Sequence, residues 1–153
     1  MRMIFDDYSY LVHGDALPEV QFTPIEEGHA HILKMGHVVL INFFIIPCNH
    51  CKHMLEYLQE ELWPEFQNAG RLMLAVGRGH TAQEVLEFRD RGNYILPFAA
   101  DPDRKNYDLF AERKVPRNYL FDSSGKLVYQ TRGFDLDQMS TLRLVLQDLS
   151  LTV

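Results

Sequence analysis

The chain holds only two cysteines, and they stand together as Cys48-Asn49-His50-Cys51. Two thiols at that spacing can cycle between dithiol and disulfide, or form half of a zinc site. The flanking sequence favours the first. Residues 38–46 are apolar except for Asn42 and mostly β-branched or aromatic, which predicts a strand buried on both faces. After Pro47 the period changes. Met54, Leu58 and Leu62 recur every fourth residue with Leu55 beside them, predicting a helix from about Cys48 to Leu62 with one face on the core. Cys48 then falls at the first helical turn, where unpaired backbone N–H groups and the positive end of the helix dipole stabilise a thiolate. A thiolate attacks disulfides, and Cys51, one turn deeper, can attack the mixed disulfide and release the product. Protonated His50 would add positive charge beside Cys48. The residues point to a catalytic dithiol.

Duller or different readings exist for each feature. Cys48, Cys51, His50 and His53 offer four donors within a short stretch, so a metal cluster has to be weighed. His50, between two ligands on a helical turn, would point elsewhere, and no second C-x-x-C or spaced His pair completes the set. A redox-dependent adaptor or metal chaperone would use the dithiol only as a ligand, binding a soft metal without turnover. Gly77-x-Gly79 lacks the rest of any phosphate-binding pattern. His29, His31 and His37 read as surface or satisfied residues, and His80, after Gly79, as exposed loop. Trp63, Phe43, Phe44 and Phe110 are most simply core.

At 153 residues and 46% hydrophobic content, the chain can bury a core without staples or metals, predicting a single domain over 1–153 with residues 1–16 as an arm. A net charge of −6 without a basic patch argues against nucleic acid or an anionic membrane surface as partner. The longest apolar run is too short to span a bilayer. The first fifteen residues carry acids and tyrosines where a signal peptide needs an unbroken apolar core.

The elements that must position the dithiol follow in order. Residues 17–23 alternate like a strand, 24–28 make a turn and 29–33 a hairpin partner. Trp63-Pro64 should kink or break the first helix, with Ala69 and Gly70 as its stop. A second buried strand covers 72–76, Thr81 to Glu84 is a capping box for a helix reaching Arg91, and 95–99 is a short strand. Tyr107, Phe110 and Ala111 mark a short helix ending near Lys114. A Gly-turn hairpin joins 118–122 to 127–130, and a last helix carries Leu136, Met139, Leu142, Leu146 and Leu149 on one face.

The ordered set resembles the TlpA/ResA-like thiol–disulfide oxidoreductases of the AhpC/TSA-related, thioredoxin-like proteins. Residues 14–20 (GDALPEV) resemble their "G-x-x-x-P-x-F" opening, and residues 38–44 (VVLINFF) their "vvlvNFW" strand. Asp101 and Phe121-Asp122-x-x-Gly125-Lys126-Leu127-Val128 resemble later blocks. The match covers roughly residues 14–150. It implies an α/β fold: a thioredoxin-like, three-layer α/β/α arrangement with a mixed central sheet, an N-terminal β-hairpin extension and an inserted helix.

By that resemblance Cys48 is the exposed nucleophile and Cys51 the buried resolving thiol. Pro116 is the cis-proline facing them, with the Val115 backbone pairing to a substrate peptide. Pro47 takes the place of the usual Trp, so Pro47 and Asn49 form the substrate-binding rim. Asn42 stands where thioredoxins proper carry a buried aspartate. Peroxiredoxins share the fold, but Ile45 occupies the position of the hydroxyl residue that their peroxide chemistry requires. The resemblance implies no cofactor beyond the redox-active Cys48–Cys51 disulfide. It implies disulfide- or dithiol-bearing protein partners, an upstream thiol donor or acceptor, and a monomer. It favours a periplasmic or envelope setting, although the sequence displays no leader.

Overall fold

A computed structural model describes residues 4–26, 36–68 and 70–151. Its six strands are β1 (Thr23–Pro24), β2 (Val39–Phe44), β3 (Leu72–Arg78), β4 (Phe98–Asp101), β5 (Arg117–Phe121) and β6 (Leu127–Arg132). They form one sheet in the order β1-β4-β3-β2-β5-β6. The apolar run at the chain's centre becomes β2, buried along its whole length, with β3 parallel on one side and β5 antiparallel on the other. A strand flanked on both edges and covered on both faces has no polar side to show, hence its nearly unbroken apolar sequence.

Four helices complete the fold: α1 (Asn49–Tyr57), α2 (Trp63–Asn68), α3 (Ala82–Gly92) and α4 (Leu136–Leu151). Leu40 and Phe44 of β2 face one core, filled by Met54 and Leu55 of α1, Phe66 of α2, Val85 of α3 and Met139, Leu142 and Leu146 of α4. Val39, Ile41 and Phe43 face the other core, closed by Leu11, Leu17, Val20 and Phe22 from the N-terminal arm and by Tyr107 and Phe110. The second outer layer is therefore an extended arm and one 3₁₀ turn, Tyr107–Leu109, where the periodicity suggested a short helix. Phe43 meets the rings of Tyr107 and Phe110 edge-on at 5.1 and 5.0 Å. Each such pair adds about 0.5–1.5 kcal/mol beyond its buried area. Aromatic packing, not helix formation, fixes that layer.

Several elements differ from the sequence expectation for local reasons. Of the expected strand over 17–23 only Thr23 enters a ladder, pairing together with Pro24 against β4. Leu17, Val20 and Phe22 instead pack on the sheet face, so the segment serves a layer and not a ladder. The expected hairpin partner at 29–33, with His29 and His31, lies outside the described residues, as does Ala69. The strand expected over 95–99 starts later, at Phe98. Trp63-Pro64 does not end the helical path. A π turn over Leu58–Leu62 precedes it, and the Trp63 N–H donates to the Leu58 carbonyl five residues back. The wider turn relieves the clash between the Pro64 ring and the carbonyl four residues earlier.

Candidate active site

Cys48 is the N-cap of α1, with extended backbone (φ −163°, ψ 112°), and its Sγ accepts the Cys51 N–H at 3.1 Å. The two cysteines form a disulfide, their Cα atoms 5.2 Å apart. Cys48 is half-buried, whereas Cys51 is 1% exposed and belongs to the core beneath α1. The capping bond supplies what a sulfur anion needs, a backbone donor at the positive end of a helix. Solvent reaches one sulfur and not the other.

One loop leads into the disulfide, and a second, ahead of β5, carries Val115, which packs on the core that holds Cys51. The first, residues 45–47, joins β2 to the cap through a cis Ile46–Pro47 peptide. Pro47 has no N–H to give. The Ile46 N–H donates across to Nε2 of His80, at 2.9 Å. The second loop, Arg113 to Pro116, leads into β5 through a cis Val115–Pro116 peptide. Lys114 sits there in the left-handed region (φ 84°), unusual for a side chain of its size. The Tyr107 hydroxyl donates to the Lys114 carbonyl at 2.7 Å. The fully buried Arg117 donates from Nε to the Arg113 and Lys114 carbonyls and from Nη2 to Arg113. Asp6 of the arm closes the network, accepting from Arg117 and Arg132 at 3.0 and 3.2 Å. Burial works against the charge on Asp6. Hydrogen bonds from the Ser9 N–H and from Arg117, with the attraction of the guanidinium, overcome it and hold the carboxyl below its ordinary range. Beyond Pro116, its carbonyl accepts the Gly133 N–H at 2.9 Å.

Behind the site, Asn42 and Asn118 stand opposite each other on β2 and β5, fully buried. Asn42 Nδ2 donates to Asn118 Oδ1 at 3.0 Å, and Asn118 Nδ2 donates to Thr131 Oγ1 and to the Met54 sulfur. An amide both gives and accepts, so it bridges strands without a buried charge to neutralise. No base occupies this position.

With that geometry in view, the comparisons with known proteins are decisive. Residues 14–130 match the profile of the AhpC/TSA family. The chain belongs to the AhpC/TSA family. Among curated proteins it is similar to the thiol–disulfide oxidoreductase ResA of Geobacillus thermodenitrificans, 26% identical over 125 residues covering 80% of this chain and 71% of that one. It is likewise similar to ResA of Oceanobacillus iheyensis, 28% identical over 133 residues, covering 84% and 69%. A solved structure described as that of a candidate protein disulfide isomerase from Bacteroides thetaiotaomicron superposes with a TM-score of 0.85 at 20% identity, over 93% of this chain and 92% of that one. That last likeness establishes the fold. This AhpC/TSA protein is a TlpA/ResA-like oxidoreductase of thioredoxin fold carrying a C-x-x-C disulfide.

In this AhpC/TSA chain the expected site residues fall around the disulfide unevenly. Pro47, Asn49 and His50 are exposed at the start of α1, Val115 is half-buried and packs on the core that holds Cys51, and Pro116 is buried. The ring of His53 lies 6.0 Å from that of Phe134, beside the Gly133 loop. Among the described residues, no group of three or more His, Cys, Asp or Glu is placed to hold a metal, and no helix is long and apolar enough to cross a membrane. The sequence reading missed His80, expected as exposed loop. Its side chain is only 16% exposed and touches the loop before Cys48. It also missed Arg117, Tyr107 and Asp6. For Arg117 a signal existed: a lone cation opening the strand after Pro116. For His80, 34 residues from its partner, none did.

Proposed function

We propose that the chain is a reductase that exchanges disulfides with partner proteins through the Cys48–Cys51 couple. The single observation that carries this reading is the asymmetry of the pair: Cys48 is half-buried, caps α1 and accepts a backbone N–H, while Cys51 is sealed in the core. In the reduced chain the Cys48 thiolate attacks one sulfur of a substrate disulfide. A mixed disulfide forms and one substrate thiolate leaves. Cys51 gives up its proton and attacks the Cys48 sulfur, releasing the second substrate thiolate. Two electrons pass to the substrate, and the chain is left as the disulfide. An upstream dithiol, oxidised in turn, restores it. No group beyond the two sulfurs needs to carry electrons.

Val115 and Pro116 shape the edge against which the substrate backbone lies, and Pro47 and Asn49 form the exposed rim on the other side of the sulfur. His50, exposed in the first turn of α1, stabilises the thiolate when protonated. His50→Pro should therefore raise the Cys48 pKa and make the couple more reducing, read from the pH profile of alkylation. An unchanged profile would remove His50 from the mechanism. The function itself is tested by reduction of insulin disulfides with dithiothreitol as donor. Wild type should accelerate it and Cys48→Ser should return it to the uncatalysed rate. An inert wild type would leave the dithiol as a ligand only.

A further inference from the structure

Between the last residue of β2 and the cap of α1 the chain has three residues in which to place the nucleophile. Pro47 offers no donor, and the Ile46 N–H is spent on a side chain from another loop, the Nε2 of His80 at 2.9 Å. Because that nitrogen accepts, the proton of the ring is on Nδ1, which faces Glu84 Oε2 at 3.5 Å. Glu84 is itself fixed: its Oε1 accepts the Thr81 N–H at 2.9 Å while its own N–H bonds Thr81 Oγ1, a complete capping box at the start of α3. Hydrogen bonding from the Thr81 N–H, then from the Thr81 side chain and His80, keeps the Glu84 carboxyl below its ordinary range, so an anion faces Nδ1. Gly77 makes the approach fit. A Cβ there would come within 2.6 Å of Val85, so glycine lets α3, which carries Glu84, lie this close to β3.

We propose that His80 is a positioning residue for Cys48. Its ring pins the loop two residues ahead of the nucleophile, and Glu84 and the capping box of α3 hold the ring in the tautomer that accepts. Through Glu84 and His80, α3 is thereby tied to the loop that carries the sulfur. The inference rests on the reading of Cys48–Cys51 as the reacting couple.

The test compares His80→Leu, which removes the acceptor, with His80→Gln, whose side-chain oxygen can replace Nε2 and does not titrate. A single hydrogen bond of this kind corresponds to about a two- to tenfold effect. In the fully reduced chain at neutral pH, the faster-reacting thiol of His80→Leu should alkylate with iodoacetamide about two- to tenfold more slowly than that of wild type, with its thiolate pKa raised. His80→Gln should recover to within about twofold of wild type, since only the acceptor is restored. Equal rates in His80→Leu and wild type would overturn the proposal. So would a His80→Gln protein as slow as His80→Leu while unfolding at the wild-type temperature, because the ring would then act by shape alone. A wild type whose disulfide cannot be reduced and reformed would instead sink the underlying redox reading.

Discussion

The loop before Cys48 and the loop before Pro116 are held in opposite ways. The loop before Cys48 depends on one hydrogen bond, from the Ile46 N–H to a partly exposed imidazole. The loop before Pro116 is tied by a buried phenol and by an Arg117 that spends Nε and Nη2 on two carbonyls and on Asp6. The loop before Pro116 is built as part of the core, and the support of the loop before Cys48 is light. A rigid edge can present one backbone geometry to many partners. A lightly held sulfur can shift as its bond passes from Cys51 to substrate and back. Stability and reactivity should therefore separate between the two sides.

The largest effect on stability is expected from Arg117→Met. Removing the guanidinium takes a donor from the Arg113 and Lys114 carbonyls and from the Asp6 carboxylate, which keeps Arg132 and the Ser9 N–H, and breaking a buried pair from one side costs about 3–5 kcal/mol. Urea denaturation measures it, and a loss below about 1 kcal/mol would mean that the network is ornamental to the fold. Asp6→Asn comes next, at about 1–3 kcal/mol near neutral pH, and its signature is the pH dependence. The folded carboxyl titrates below the ordinary carboxylate range, so its contribution is fully present above that range and fades as pH falls through the lower folded pKa. Wild type and Asp6→Asn should accordingly converge in stability in strong acid; a constant gap across the acid range would contradict the assignment. Tyr107→Phe should be mildest, about 1 kcal/mol for the bond to the Lys114 carbonyl, with Cys48 alkylation unchanged. That pairing sharpens the contrast with His80→Leu, where reactivity should move more than stability. A Tyr107→Phe protein that slows alkylation as much as His80→Leu would erase the distinction between the loops.

Much of this fold was legible in sequence because its strands are buried on both faces and its helices on one. The run at 38–46 could hardly be anything but a central strand, and the capping box at Thr81 located the start of α3 to the residue. The dithiol was equally plain, since Cys48 sits where one period gives way to another. What stayed hidden was whatever depends on contacts far apart in the chain. Residues 17–23 read as a short strand, and nothing local tells a pairing strand from an extended segment whose Leu17, Val20 and Phe22 lie on a sheet face. Tyr107 and Phe110 mark a face, but their partner Phe43 and the tight turn between them shortened a helix to one 3₁₀ turn. His80 follows a glycine in a loop and looks solvated. Only the fold brings it to Ile46.

The central claim is that Cys48 and Cys51 form a reversible two-electron couple poised for reduction of partner disulfides. Its most direct test is equilibration of the chain against glutathione and dithiothreitol buffers, with the dithiol fraction read by alkylation and mass. The account predicts a single two-electron transition with a midpoint at or below about −250 mV. A midpoint above about −200 mV would make the protein an oxidant or isomerase, contradicting the reductase assignment. A chain that forms no disulfide anywhere in the series would contradict the couple itself.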